Sequence, residues 1–253
     1  MVLKAQQQGR LLTLTIDNPS SNNALDAALL DELGHALARA EADGSVRVVA
    51  IAATGPVFCS GADLGGNASS APHETARLYF QTLRRLTNSS RIIVSVVNGT
   101  VQAGGVGLVA ASDYVLCSET ASFRLPEVLL GLIPACVLPF LIRRIGVHSS
   151  QMLALTAHKI DARRALELRL VDQVAPDAAE ALRRFVLSVE RIPEPAVALL
   201  KTYMGQLAPI TDREEELAVS SIAALMENPN SLDRVRELVD HGLWAGGGHE
   251  PGR

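Results

Sequence analysis

Aromatic residues and lysines are both scarce in this 253-residue sequence. Phenylalanine, tyrosine and tryptophan together make up 4% of the chain, and lysine occurs only at positions 4, 159 and 201. Since 48% of the residues are hydrophobic, we expect an aliphatic core of the globular kind and not a disordered chain. The formal net charge is −4 with both signs interspersed, which argues against a nucleic-acid-binding surface.

Cysteines and long apolar runs are also few. Cys59, Cys117 and Cys136 are widely spaced and form no C-x-x-C pair, a pattern typical of reduced thiols and not of a disulfide framework or a zinc site. The first ten residues hold no apolar segment of the signal-peptide kind. The longest apolar run, 132–142, contains two prolines and is far shorter than the ~20 residues of a membrane span. We therefore expect a soluble cytoplasmic protein with no metal and no membrane partner.

Hydrophobic patterning predicts alternating strands and helices in the first half of the chain. The predicted strands are 11–16, 46–53, 92–97, 114–117 and 121–123. Leucines four residues apart predict a helix that begins after the N-cap Asp26 and ends near Ala42. Further helices are expected around 78–86 and from the glycine-rich stretch that begins near 104.

The second half is predicted to be almost wholly helical. From Pro134 the helical pattern continues nearly to Trp244, and the last eight residues are expected to be disordered. Small polar residues predict a mobile loop over 65–74. The sequence therefore predicts an α/β fold with a core over 1–190, followed by a helical region and tail over 191–253.

Two glycine-containing loops could bind a carbonyl oxygen. The stretch 58–63 follows a predicted strand, and 103–107 begins a predicted helix whose first N–H groups lack helical partners. Two such N–H donors that converge on one oxygen form an oxyanion hole. The alternatives are glycines that serve only tight turns and close packing, or a dinucleotide fingerprint at 105–110. The fingerprint is disfavoured because six residues separate Val97 from Gly104 and no acidic residue closes a second strand ~20 positions later.

Glu127 is the candidate general base. It lies in an otherwise mostly apolar stretch, 122–134, and a carboxylate buried there would have a raised pKa. A raised pKa makes a glutamate a competent base near neutral pH. The structural alternative is a salt bridge to Arg124 or a cap on the following helix, and the local pattern does not decide between the two.

Five segments together resemble the crotonase (enoyl-CoA hydratase/isomerase) superfamily. They are NNALD (22–26), VFCSGADL (57–64), NGTVQAGGVGL (98–108), ASFRLPEVLLGLIP (121–134) and ALELRLVDQV (165–174). The resemblance implies a crotonase-type ββα superhelix with a C-terminal helical trimerisation region that forms trimers or hexamers. It also implies that the N–H groups of Ala62 and Gly104 form the oxyanion hole. No cofactor is implied, because the substrate arrives as a pantetheine thioester on an acyl carrier protein or on CoA.

One position departs from the pattern of the family's hydratases. They use two glutamates, and the position of the first is occupied here by Gly107, so only Glu127 remains. A glycine there is expected to leave space for a branched or larger acyl group, with Gly107 and Cys136 in the acyl pocket. The runs 129–146 and 225–244 more narrowly resemble the dehydratases of polyketide β-branching, which remove water from a carrier-bound 3-hydroxy-3-methylglutaryl group to give 3-methylglutaconyl. The alternatives are another thioester reaction (hydration, isomerisation or decarboxylation) or a scaffold without catalytic activity.

Several other side chains are weaker candidates. Cys136 or Tyr79 could assist Glu127, and Arg77 or Arg124 could pair with a distal carboxylate of the substrate. The pair Arg143 and Arg144 could dock an acidic carrier protein, with residues 163 and 164 as a second basic pair. For each arginine a structural or solvated role is the simpler expectation.

Overall fold

The computed structural model describes residues 2–62 and 72–227. Its strands are Leu3–Gln8 (β1), Leu11–Ile16 (β2), Val48–Ala53 (β3), Val57–Cys59 (β4), Ile92–Val97 (β5), Thr100–Gln102 (β6), Tyr114–Cys117 (β7), Ser122–Arg124 (β8), Ile160–Asp161 (β9) and Gln173–Val174 (β10). Its α-helices are Ala27–Ala42 (α1), Pro72–Asn88 (α2), Gly104–Ala111 (α3), Leu138–Ile145 (α4), Val147–Thr156 (α5), Ala162–Glu167 (α6), Ala178–Val189 (α7), Glu194–Leu207 (α8) and Asp212–Met226 (α9). Short 3-10 helices span Pro19–Ser21 and Glu127–Leu130.

The strands form two sheets, and successive pairs of strands along the chain add one strand to each sheet. The larger sheet has the order β1-β2-β3-β5-β7-β10 and is parallel except for the β1–β2 hairpin. The smaller has the order β4-β6-β8-β9, with only β9 antiparallel. The pairs β3/β4, β5/β6 and β7/β8 thus give each sheet one strand per turn, and a helical segment follows each pair. This is the ββα superhelix that the resemblance to the crotonase superfamily implied.

Helix α1 shows how the local sequence determines where a helix begins and which of its faces is buried. The carboxylate of Asp26 accepts a hydrogen bond from the N–H of Leu29 at 2.8 Å and caps the helix. Leu29, Leu33 and Leu37 are fully buried on one face, as their spacing of four requires. The predicted start, end and cap of this helix are therefore confirmed.

Some predicted elements need correction. The loop expected over 65–74 ends earlier, because α2 already begins at Pro72; residues 63–71 lie outside the described part, as does the C-terminal tail. The helical second half is interrupted by the two-residue strands β9 and β10. The hydrophobic pattern does not reveal strand β1, because only Leu3 of its six residues is buried and the alternation of a half-buried strand is absent.

The C-terminal helices are held to the core by ion pairs with buried members. Glu215 on α9 is only 3% exposed and contacts Arg77, Gln81 and Arg84 on α2, at 3.3, 2.8 and 3.0 Å. Helix α8 is tied down at its start, where Glu194 accepts a hydrogen bond from buried Arg91 at 2.5 Å. No helix in the described residues is long and apolar enough to cross a membrane.

Candidate active site

The two glycine loops meet at the beginning of α3. Gly61 has φ +90°, and a Cβ on it would lie 2.6 Å from the Cβ of Ala103 and 3.0 Å from the backbone nitrogen of Gly104. Only glycine tolerates both this backbone conformation and this close approach. On its other side, the Gly61 carbonyl accepts the N–H of Leu25 at 2.8 Å, and Leu25 and Ala62 form an isolated β-bridge.

Gly104 is the first residue of α3. Its N–H is one of the first four of the helix, which have no acceptor within the helix, and it carries part of the positive end of the helix dipole. The preceding Ala103 has the unusual backbone angles φ 47°, ψ −121° and is held by a hydrogen bond from its N–H to the Arg124 carbonyl at 3.0 Å. The structure thus brings the segments of Ala62 and Gly104 together, and their role as oxyanion-hole donors stays a prediction.

Glu127 is a buried carboxylate at the start of a 3-10 helix. It is 8% exposed, and its Oε2 has no hydrogen-bond partner among the described residues. Burial raises its pKa from 4.5 to about 8, against a smaller opposing effect of a hydrogen bond from its own backbone N–H. The salt bridge to Arg124 is not formed, because the Arg124 Nε donates to the carbonyl of Ala157 at 2.8 Å.

Tyr79, on α2, occupies the space beside Gly107. A Cβ on Gly107 would lie 2.0 Å from the Tyr79 hydroxyl oxygen, and that hydroxyl donates to the carbonyl of Gly104 at 2.5 Å. Burial raises the pKa of Tyr79 well above 10, with smaller electrostatic contributions from Cys136, Cys59 and Glu127. The expectation of free space at position 107 is therefore corrected: a phenol fills it.

Cys136 lies near the same cluster as a neutral thiol. It is 3% exposed, its Sγ donates to the Ala76 carbonyl at 3.7 Å, and burial raises its pKa to about 12. A thiol that stays protonated is a poor nucleophile and a poor acid, so its environment favours a packing role. Whether it lines an acyl pocket stays a prediction.

Some of the candidate arginines bind other residues of the protein, and others are exposed to solvent. Arg77 is engaged with Glu215 and Glu216, so it is not a spare cation for a substrate carboxylate. Arg144 points inward: its guanidinium donates to the carbonyls of Ser112 and Leu170 and pairs with Asp172. The prediction that the Arg143/Arg144 pair docks a partner therefore needs correction, since Arg144 is a structural residue.

Arg143 is exposed and lines a groove of about 320 Å³ between the C-terminal ends of α2 and α4 and helix α8, together with Arg84 and Lys201. The predicted catalytic, oxyanion-hole and acyl-pocket residues, Ala62, Gly104, Gly107, Glu127 and Cys136, do not line this groove. Among the described residues, no group of three or more His, Cys, Asp or Glu side chains could hold a metal ion.

The fold, the paired glycine loops and the buried glutamate define a crotonase-type enzyme. The chain belongs to the enoyl-CoA hydratase/isomerase family, whose sequence model matches residues 6–241. Among its relatives, the bacillaene synthase dehydratase PksH of Bacillus subtilis (strain 168) is 30% identical over 251 residues, which cover 96% of this chain and 95% of PksH. The 2,3-dehydroadipyl-CoA hydratase of Escherichia coli (strain K12) is 34% identical over 176 residues, 69% of each chain.

Solved structures agree with this placement. The crystal structure of a putative polyketide biosynthesis enoyl-CoA hydratase (pksH) from B. subtilis has a TM-score of 0.87 at 28% identity and covers 96% of this chain and 98% of that one. A putative enoyl-CoA hydratase from Mycobacterium avium paratuberculosis K-10 gives 0.88 at 30% identity, with coverages of 95% and 97%. The predicted fold and the predicted class of activity, addition or removal of water by a hydro-lyase, are confirmed.

Proposed function

We propose that this enzyme dehydrates a 3-hydroxy-3-methylglutaryl group carried on an acyl carrier protein and releases a 3-methylglutaconyl thioester. The observation that carries the proposal is the buried Glu127, whose Oε2 has no hydrogen-bond partner among the described residues, together with the Tyr79 phenol that excludes a side chain at Gly107. A hydratase that holds its water between two carboxylates needs a second one, and the position of that glutamate in the family's hydratases is Gly107 here. The similarity to the dehydratase PksH over nearly the whole chain supports the same choice.

The proposed reaction is an elimination that uses one carboxyl group twice. Ionised Glu127 takes a proton from the carbon next to the thioester, and the negative charge moves to the thioester oxygen, held by the N–H groups of Ala62 and Gly104. The enolate then expels the hydroxyl from C3, and the Glu127 carboxylic acid returns its proton to that oxygen. One C–H and one C–O bond break, one C=C bond forms, and water leaves with Glu127 ionised again.

Mass spectrometry of the loaded carrier protein tests this proposal. Incubation of 3-hydroxy-3-methylglutaryl carrier with the enzyme should reduce the carrier mass by one water, and Glu127→Gln should leave it unchanged. Glu119→Gln, on the exposed turn between β7 and β8, is the matched control and should retain full turnover. Loss of carbon dioxide would indicate a decarboxylase, while no change with the wild-type enzyme would reject this substrate.

We also propose that Arg143 helps to dock the acidic carrier protein. It is exposed and takes part in no ion pair or hydrogen bond recorded among the described residues, unlike its neighbour Arg144. Arg143→Glu should slow turnover of the carrier-bound substrate more than turnover of the same acyl group on a short pantetheine. Arg163→Glu, at the second basic pair, is the comparison, and equal losses on both substrates would count against docking at Arg143.

The C-terminal region is proposed to assemble the enzyme into trimers or hexamers. Helix α8 presents a run of large exposed hydrophobic side chains: Leu199, Leu200, Tyr203, Met204 and Leu207. Apolar faces of this kind are usually covered by another protein surface. Light scattering of the purified protein should give three or six times the 26.9 kDa chain mass, and a monomer would reject the proposal.

A further inference from the structure

We propose that Tyr79 is a positioning residue that fixes the first turn of α3, and that position 107 must be glycine so that the phenol can do so. The inference rests on the proposed function, because it concerns how the Gly104 N–H is held for the thioester oxygen. It adds a residue on α2, 25 positions before Gly104, to the two backbone donors and the glutamate.

The beginning of α3 lacks the usual means of holding a helix start. No side chain among the described residues caps the helix at Ala103, which also has a positive φ of 47°. The helix is eight residues long, and its first turn consists of Gly104, Gly105, Val106 and Gly107. Glycine is the most mobile residue in a helix, so this turn needs an external contact to stay rigid.

Tyr79 supplies that contact. Its hydroxyl donates to the Gly104 carbonyl at 2.5 Å, and its ring lies 3.4 Å from where a Cβ on Gly104 would be. Because the N–H and carbonyl in question belong to one residue, fixing the carbonyl of Gly104 also limits the movement of its N–H. Catalytic donors must lie where the negative charge develops, and small displacements lower the rate.

A side chain at position 107 and the hydrogen bond from Tyr79 to Gly104 cannot be present together. Any side chain at position 107 starts at a Cβ that would lie 2.0 Å from the phenol oxygen and 3.1 Å from the ring carbon that bears it. The phenol would have to leave Gly104 to make room. The two positions are therefore exclusive: either a side chain projects from 107, or Tyr79 holds Gly104.

Tyr79→Phe is the primary test, because it removes only the hydroxyl. On the carrier-bound substrate we expect a three- to tenfold lower kcat with KM within twofold of wild type, the effect of one lost hydrogen bond that does not touch the substrate. Tyr114→Phe is the matched control, since within the described residues the Tyr114 hydroxyl makes only one long hydrogen bond, 3.4 Å to Gln173, between β7 and β10. A kcat for Tyr79→Phe equal to that of Tyr114→Phe would overturn the proposal.

Gly107→Ala tests the exclusion. In the wild-type background it should displace the phenol and lower kcat at least as much as Tyr79→Phe does. In the Tyr79→Phe background the added methyl should cost far less, so the double variant should resemble the more impaired single variant. Losses that multiply would show that the two positions act independently and would overturn the pairing.

Amide hydrogen exchange gives a readout that needs no substrate. The N–H of Leu108 donates to the same Gly104 carbonyl within α3, so exchange over 104–111 should accelerate in Tyr79→Phe and stay at the wild-type rate in Tyr114→Phe. Unchanged exchange would overturn the positioning role. If the wild-type enzyme fails to dehydrate the carrier-bound substrate, the proposed function fails, while this measurement still decides the role of Tyr79.

Discussion

Replacing Glu127 with glutamine should change how the stability of the folded enzyme depends on pH. The carboxyl is 8% exposed, and burial raises its pKa to about 8 in the folded chain, against an ordinary value of 4.5. Between these two values the folded chain holds a proton that the unfolded chain has released. Stability therefore falls as the pH rises through this window, because the unfolded state gains from ionisation and the folded state does not.

The magnitude follows from the two pKa values. A tenfold difference in proton affinity is worth about 1.4 kcal/mol, so the buried Glu127 lowers the free energy of unfolding by about 5 kcal/mol above pH 8. Below pH 4.5 this contribution vanishes, because both states are protonated. Glutamine has nearly the same shape and never ionises, so the variant should be more stable than the wild type at high pH and nearly equal to it at low pH.

Urea denaturation at a series of pH values from 4 to 9 measures this directly. The difference in unfolding free energy between Glu127→Gln and wild type should grow steadily from pH 5 and level off above pH 8. Glu119→Gln controls for the loss of one negative charge from the protein surface. Parallel curves for wild type and Glu127→Gln would refute the reasoning, since they would mean that folding does not change the proton affinity of Glu127.

Four further substitutions test the framework around the site. Asn23→Ala should lower the unfolding free energy by about 3 kcal/mol in denaturant titrations, because this buried amide bonds to the backbone of Asn18, Thr54 and Val57; a loss below about 1 kcal/mol would contradict this role. Gly61→Ala should cost about 2 kcal/mol or more and abolish turnover, and an active enzyme would show that the close approach at Gly104 is dispensable. Arg144→Met should cost about 3 kcal/mol and Arg143→Met nearly nothing, and equal effects on the melting temperature would refute the inward placement of Arg144.

The features that were predictable from the sequence rest on local patterns. Leucine spacing and the Asp26 cap define α1. The apolar surroundings of Glu127 left a buried base and a structural role open, and the structure shows a buried side chain with a raised pKa. The glycine loops were recognisable because each lies where a strand ends or a helix begins. The order of the motifs then pointed to the ββα superhelix, which no single pattern would have revealed.

The features that escaped prediction depend on contacts between distant segments. Tyr79 and Gly107 are 28 positions apart, and only the packing of α2 on α3 shows that one fills the space of the other. Arg143 and Arg144 are identical in type and adjacent, yet one faces solvent and the other is tied to Asp172, since neighbouring positions on a helix point in different directions. A pattern of residue types contains neither piece of information.

The ion pairs and the hydrogen bond between Glu215 and α2 affect the order in which the newly made chain can fold. Its partners Arg77, Gln81 and Arg84 lie four and three residues apart, so they form one stripe along α2. Their partner is synthesised more than 130 residues after them. During translation these three side chains therefore lack Glu215 until α9 has been made, so the packing of α2, which bears Tyr79, is completed only after the C-terminal helices have been synthesised.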